Sequence, residues 1–509
     1  MPTNDVAKPP ALIRALLANP ACYNHEVKQL RLFETHISWV VLTGEFAYKI
    51  KKPVNLGFLD FSTLALRKQA CDDEVRLNRR LAPDTYLDVV AITGRPDKPH
   101  IKEHGTAFEY AVKMRQFSPE DTMDKLSDRG ELGVEHIDAL ASRLAQFHLH
   151  ESAATRADCP YGDPAAIIKP VEDNFRILDG LLADSGQKQR LALLHRWCSA
   201  EHERLTPLML KRRQLGKVRE CHGDLHLGNL AWVDGHLIIF DCIEFSPQLR
   251  WIDVMSEVAF CFMDLLHRSQ RELAFRFLNA WLEICGDYEG VALLRYYAVY
   301  RAMVRAKVGA LRAQQSAGNN TVADEYLQLA QQLIQPKSLE LWITHGFSGC
   351  GKTTQSQKLL QEQGMVRMRS DIERKRLAGI AATASSSSGT QAGLYAPEAS
   401  RRIYTHLAQL AAGLLNSGWT VIVDATFLFR WQRNMFREIA KMHSAQLHLL
   451  DIQADPATLR QRIALRTIKG GDASEANLQV LQHQIETSEP LGSDEPVALK
   501  LSFDSAQTT

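Results

Sequence analysis

The chain has almost no net charge: Lys+Arg 60 against Asp+Glu 59 leaves a formal +1 over 509 residues. That balance argues against a general nucleic-acid coat or a polybasic membrane adaptor and leaves room only for local basic pockets. No apolar run approaches the roughly 18 residues of a membrane span, so no membrane partner is expected. The opening MPTNDVAKPPALIRALLANPA has an early acidic residue and a short apolar stretch broken by Arg14. It reads as an amphipathic helix, not a secretory signal. The nine cysteines are scattered from Cys22 to Cys350 with no CxxC pair. An odd, unpaired set argues against a disulfide framework or a zinc site and suits reduced thiols in a cytoplasmic protein. No internal repeat is visible either. What is present is ordinary: 45% hydrophobic residues, enough for cores in roughly two to four domains.

The pattern along the chain changes twice. From about Ile37 to Ile101 short β-type runs dominate, and ISWVVLTG and FAYKIKKPV flank a Thr43-Gly44-Glu45 turn as an antiparallel hairpin would. Leu64–Leu81 has apolar residues at helical spacing after the cap candidate Ser62. LDVVAIT and FEYAVKMRQF read as strands. From about Val134 to Ala330 the pattern is mostly helical, apart from a strand-loop-strand piece around Val218–Phe240. After Gln335-Pro336 strands alternate with helices at LELWIT, MVRMR, TVIVD, LHLLDI and VALKLSF, which predicts a parallel sheet with helices on both faces. The tract Ala382–Gly393 is of low complexity and reads as a mobile loop.

Gly346-Phe347-Ser348-Gly349-Cys350-Gly351-Lys352-Thr353-Thr354 contains G-x-x-x-x-G-K-[ST] between a strand and a helix. Such a loop curls its N–H groups toward phosphate oxygens, and the helix N-terminus adds a favourable dipole. Lys352 then holds the β- and γ-phosphates of ATP, and the Thr353 hydroxyl ligates Mg²⁺. Cys350 fits a small filler position. Asp424 ends the apolar strand Val421–Val423, where a carboxylate can support the metal. Asp371 precedes Ile372-Glu373-Arg374 and reads equally as a base for an acceptor hydroxyl or as a helix N-cap. After Asp455-Pro456 a helix carries Arg460, Arg462 and Arg466. The last two share a face, either as a lid clamping the transferring phosphoryl group or as a solvated surface. GFSGCGKTT, RSDIER and VIVDATF, with this helix, resemble the P-loop kinases that include polynucleotide kinases and zeta-toxin-like kinases. That resemblance implies a nucleotide or nucleic-acid end among the acceptors to consider.

His222-Gly223-Asp224-Leu225-His226-Leu227-Gly228-Asn229 has the spacing of a kinase catalytic loop. In that pattern Asp224 orients and deprotonates an acceptor hydroxyl, and Asn229, five residues on, takes a metal ion. The strand LIIF then delivers Asp241, a second metal carboxylate; a triphosphate beside a carboxylate base needs a cation to neutralise it. Cys242-Ile243 after Asp241 points away from protein kinases, and no G-x-G-x-x-G loop is present.

HGDLHLGN followed by IIFDCIEF resembles the aminoglycoside phosphotransferase family over roughly Ile37 to Gly309. The resemblance implies a protein-kinase-like fold and small hydroxylated acceptors. It also implies a phosphate-binding lysine, Lys49 or its neighbour Lys51, paired with Glu74, and an adenine hinge near Met114–Phe117. Glu244 either supports the metal or pairs with a cation.

The whole chain resembles the bacterial fusions of an aminoglycoside phosphotransferase-like domain with a P-loop ATP-binding domain. The expectation is a two-domain α+β then α/β protein. Residues 1–335 form the kinase-like domain, with a small lobe at about 30–117 and a mostly helical large lobe at 118–335. Residues 336–509 form the P-loop domain. The leading function is a bifunctional ATP-dependent phosphotransferase. A P-loop ATPase regulated by a sensing domain and a toxin-like kinase restrained by one are the alternatives. The stripe Tyr297, Arg301 and Arg305 reads as a solvated or salt-bridged face, with contact to an anionic acceptor or to the other domain as the alternative. The basic residues Arg367, Arg369, Arg374, Lys375 and Arg376 around Asp371 hint at an anionic ligand or ATP itself.

Overall fold

The structure is a computed structural model that describes residues 9–57, 59–102, 106–155, 159–315, 320–380, 397–469 and 474–503. The serine-rich tract at 382–393 and the first eight residues lie outside the described residues. The rest forms two compact units. One takes the described residues of Met1–Leu132, Gln146–Pro170 and Thr206–Cys261, and the other those of Gly133–Ala145, Val171–Leu205 and Phe262–Thr509.

In the first unit, strands β1 (Arg31–Glu34), β2 (Ser38–Leu42), β3 (Phe46–Lys51), β4 (Tyr86–Arg95), β5 (Lys98–Lys102) and β6 (Ala107–Arg115) form one sheet. The order is β1-β2-β3-β6-β4-β5, antiparallel throughout. The β2–β3 turn closes where Thr43 bonds Phe46 O with both its N–H and its hydroxyl, at 2.9 and 2.8 Å. Side chains alternate along β3. Tyr48 and Ile50 enter the apolar cluster with Val41 and Ile92, so Lys49 and Lys51 face the other side. That side is covered by the helix Leu64–Asn78, whose Cys71 and Val75 pack on Tyr86 and Val112. Its cap is Thr63, whose hydroxyl accepts the Leu66 N–H at 3.3 Å, and not Ser62. Further along, β7 (Val218–Glu220) pairs with β10 (Trp251–Asp253), and β8 (Leu230–Val233) pairs with β9 (His236–Ile239). The tight β8–β9 turn uses Asp234 and Gly235, both at positive φ, as a two-residue hairpin requires.

The second unit contains a parallel sheet of β11 (Glu340–His345), β12 (Val366–Arg369), β13 (Val421–Asp424), β14 (Gln446–Ala454) and β15 (Val497–Phe503). The order is β12-β13-β11-β14-β15. Leu341, Ile343, Val421, Ile422, Val423 and Leu450 are fully buried, as expected for strands covered on both faces. This unit also holds the helices Arg271–Cys285, Val291–Gln315 and Thr321–Ile334, so it joins helices from both sides of Pro336. Among the described residues no helix is long and apolar enough to cross a membrane.

Candidate active sites

In the first unit, Lys49 and Lys51 both reach Glu74. Lys49 Nζ lies 2.8 Å from Glu74 Oε1 and Lys51 Nζ lies 2.5 Å from Glu74 Oε2. Lys49 also meets Asp241, and Lys51 meets Glu244. The two lysines kept open by the sequence are thus engaged in parallel. The side chains of Lys51 and Glu74 are completely buried, while 43% of the Asp241 side chain is exposed and available to a ligand. Burial disfavours the Lys49 ammonium, but Asp241 and then Glu74 outweigh it and hold its pKa well above the ordinary value.

Asp241 follows β9 at φ 65, a left-handed conformation uncommon for a non-glycine residue. The loop is held there by its neighbours. Tyr86 Oη accepts the Asp241 N–H at 3.1 Å, and Asn78 Oδ1 accepts the Cys242 N–H at 2.9 Å. The loop after β7 is fixed from beneath. His222 is buried and bonds Phe240 O through Nε2 at 2.7 Å, while its Nδ1 accepts the Asp224 N–H at 3.2 Å. Gly223 has φ 92, and a Cβ there would come within 2.9 Å of Leu249 O. Asn229 Nδ2 donates to the carbonyl of Asp224 at 2.9 Å and to its carboxylate at 3.3 Å. Asp224, Asn229, Asp241, Lys49 and Glu74 therefore belong to one unit, carried by a strand, a helix and two loops.

Glu257 was not singled out from the sequence. Its Oε1 accepts the N–H groups of His222 and Gly223 at 2.6 and 2.9 Å, and its Oε2 meets His148 Nε2 at 2.7 Å. His148, Cys221 and Glu257 are grouped closely enough to consider a metal, but those bonds already engage both oxygens of Glu257. The cluster anchors the loop. No local signal betrays it, because Glu257 lies on the separate helix Val254–His267. Near the expected hinge, Phe117 packs edge-on against Phe240 at 5.0 Å.

In the second unit, the glycine-rich loop connects β11 to the helix Lys352–Gln363. Gly346, Gly349 and Gly351 all have positive φ, and a Cβ at Gly346 would collide with Ile452 O. Lys352 Nζ donates to the carbonyls of Gly346 and Phe347 at 3.0 and 2.8 Å. The Thr353 hydroxyl donates to Asp424 at 2.8 Å. Cys350 is buried beside Leu450, Leu459 and Ile463 as apolar filler. A cavity of about 580 Å³ opens here. It is lined by Ser348, Gly349, Gly351, Lys352, Thr353 and Thr354 and also by Asp371, Asp424, Arg462 and Arg466.

Asp371 sits in the first turn of the helix Ser370–Leu377 and does not cap it; Arg369 occupies the cap position. Arg462 Nη1 donates to Cys350 O at 3.3 Å and Arg466 Nη2 to Ala476 O at 2.6 Å. Arg460, by contrast, is exposed and lines nothing here. Much of the basic cluster is structural. Arg367 is buried against Glu283 at 2.6 Å, Lys375 pairs with Glu475 at 3.2 Å, and Arg376 pairs with Glu373. Only Arg369 and Arg374 of that cluster reach the cavity. The lining also includes Arg401, Tyr404 and Trp431, which carry no motif. The Tyr297 stripe is not the solvated face expected from its spacing: Tyr297 and Arg301 are buried, and Arg305 donates to Tyr326 Oη at 3.3 Å.

Both sites present oxygen donors of the kind Mg²⁺ takes: Asp241 and Asn229 in one, Thr353 and Asp424 in the other. The comparisons with known proteins give two matches, one over the HGDLHLGN segment and one over the phosphate loop. Residues 65–294 match the model of the phosphotransferase enzyme family, and residues 341–491 match that of an AAA domain. Fold, sites and matches define the class: a kinase-type phosphotransferase with a second, P-loop kinase-like domain.

At the level of whole chains, it is similar to uncharacterized proteins of Mycobacterium bovis and Mycobacterium tuberculosis. Each is 29% identical over 451 residues, covering 87% of this chain and 87% of the relative. Among solved structures it is similar to a choline/ethanolamine kinase family protein from Mesorhizobium loti, 10% identical with a TM-score of 0.39. That match covers 64% of this chain and 93% of the other. A sugar kinase from Janibacter sp. is 22% identical with a TM-score of 0.26, covering 33% of this chain and 87% of the other.

Proposed function

We propose that the chain is a bifunctional, cytoplasmic ATP-dependent phosphotransferase that moves γ-phosphate onto hydroxyl groups of small molecules at two separate sites, each working with Mg²⁺. What supports this reading is that each unit holds its own lysine, acidic residue for an acceptor and oxygen donors for a metal. The metal, when bound, neutralises phosphate charge.

At the first site Lys49, fixed by Glu74, binds the α- and β-phosphates. Asp224 takes the acceptor proton, and Asn229 and Asp241 hold the metal. At the second, the loop Gly346–Thr354 and Lys352 cradle phosphates, and Thr353 and Asp424 hold the metal. Asp371 takes the proton, while Arg462 and Arg466 stabilise charge on the transferring group.

The test is ATP-to-ADP conversion with and without a small-molecule cell extract, for wild type, Asp224→Asn, Lys352→Ala and the double variant. Two working kinases require that each single variant retain part of the extract-stimulated turnover and that the double variant lose it. If Asp224→Asn changes nothing while Lys352→Ala abolishes turnover, the two-site reading fails, and a P-loop ATPase with a sensing domain replaces it.

A further inference from the structure

The cavity beside Lys352 carries more positive charge than a nucleotide needs. Among the described residues its lining includes six cationic side chains, Lys352, Arg369, Arg374, Arg401, Arg462 and Arg466, against the two carboxylates Asp371 and Asp424. Arg369 is also paired with Glu283 outside the lining, at 3.2 Å, which lowers the excess to about three, and Mg·ATP, a dianion, offsets about two of it. Among the described residues, Arg401, Arg462 and Arg466 have no carboxylate within ion-pair distance.

Arg401 is also remote from the phosphate loop in sequence. It lies on the helix Pro397–Asn416, with its guanidinium 5.3 Å from the ring centre of Trp431, and Tyr404 meets the same ring edge-on at 5.6 Å. A guanidinium fork beside an aromatic face suits a doubly charged oxyanion attached to a small apolar or planar body.

We infer that the P-loop site phosphorylates a hydroxyl on a small molecule that already carries a phosphate monoester, with Arg401 holding that ester. This rests on the reading of the P-loop site as a kinase. The acceptor hydroxyl oxygen bonds to the γ-phosphorus as the bond from that phosphorus to the β,γ-bridging oxygen breaks. ADP leaves with the electron pair, and the hydroxyl proton passes to the Asp371 carboxylate. The reaction class that supplies such an acceptor is phosphorylation of a hydroxyl, the reaction proposed for the first site.

The test uses full-length Asp224→Asn protein with γ-labelled Mg·ATP. A small-molecule cell extract is split, and one half is treated with alkaline phosphatase that is then removed. Labelled small molecules are expected from the untreated half and at least about tenfold less from the treated half, with Arg401→Gln raising KM for the untreated pool about tenfold. Equal labelling of both halves overturns the phosphomonoester acceptor and leaves the kinase reading standing. Labelling of neither half, with Lys352-dependent ATP hydrolysis intact, overturns the kinase reading and this inference with it. Labelling of added oligonucleotides but not of extract overturns the inference in favour of a nucleic-acid end.

Calorimetry gives an independent readout, with inorganic phosphate as probe and wild-type protein saturated with a non-hydrolysable ATP analogue. Saturable binding, weakened about tenfold in a folded Arg401→Gln protein, is expected. No binding to wild type overturns the inference.

Discussion

Asn279 pairs with Arg367 as a neighbouring strand would. Its Oδ1 accepts the Arg367 N–H at 2.6 Å while its Nδ2 donates to Met365 O at 2.9 Å. These are groups at the outer edge of β12, the edge strand of the parallel sheet, and a buried edge left open would orphan them. The same helix sends Glu283 to Arg367 and to Arg369, at 2.6 and 3.2 Å, and Arg369 Nε lies 3.7 Å from Asp424. A helix far upstream in sequence thereby steadies the strand that precedes Asp371 and the carboxylate beside Thr353.

Asn279→Ala is therefore expected to destabilise the second unit by about 2–4 kcal/mol, because two buried backbone groups lose their partners. Urea unfolding of the full chain checks this. An unchanged midpoint for the transition carrying the second unit would contradict the role assigned to the amide.

Lys49 and Lys51 are expected to fail differently. Lys51 is completely buried between Glu74 and Glu244, so Lys51→Met leaves carboxylates buried with one cation fewer, at a cost of about 3–5 kcal/mol. Adding Glu244→Gln should recover part of that loss. Lys49 reaches the partly exposed Asp241. In a Lys352→Ala background, Lys49→Met should abolish the remaining turnover by about 100-fold or more. Equal effects of the two substitutions on melting temperature and on turnover would refute the division.

Glu220 sets an acid limit for the first unit. It receives Arg76 at 3.1 Å, Arg80 at 3.2 Å and Arg250 at 3.1 Å, tying the helix Leu64–Asn78 to β7. Burial alone would raise its pKa, but Arg76, Arg80 and Arg250 hold it below the ordinary carboxylate value. A depressed folded pKa contributes stability that is complete above the unfolded value and is lost as pH falls through the folded one. The stability gap between wild type and Glu220→Gln should therefore be full near neutrality and close below about pH 4. A gap independent of pH in denaturation curves would exclude the mechanism.

Both candidate sites are legible where their residues are contiguous. The phosphate loop and the HGDLHLGN segment are local, and their spacing carries their chemistry. The strands after Pro336 were legible because β-runs alternate with helical ones. Lys49 against Lys51 could not be settled, since a period of two puts both on one face, and the structure engages both with Glu74. Asn279, Glu257, Arg401 and Trp431 were invisible because each acts across a long stretch of chain, and nothing local distinguishes a buried anchor from an ordinary helical residue. The basic cluster misled in part for the same reason: Glu283, which neutralises Arg367, lies 84 positions away.

The pairing of Thr353 with Asp424 yields the sharpest test of the second site. The hydroxyl donates to the carboxylate at 2.8 Å, and Asp424 is buried at the end of β13. If this oxygen pair holds Mg²⁺, the hydroxyl is needed and the methyl group of threonine is not. Thr353→Ser should keep Lys352-dependent turnover within about threefold, whereas Thr353→Ala should lower it about 100-fold and raise the Mg²⁺ concentration for half-maximal rate. Thr353→Ala also removes a bond to a buried carboxylate, so lost turnover alone would be ambiguous. The Mg²⁺ titration separates the causes: a purely structural loss lowers the plateau without moving the midpoint, while loss of a metal donor moves the midpoint. A Thr353→Ala protein with an unchanged Mg²⁺ midpoint would remove Thr353 from the metal site.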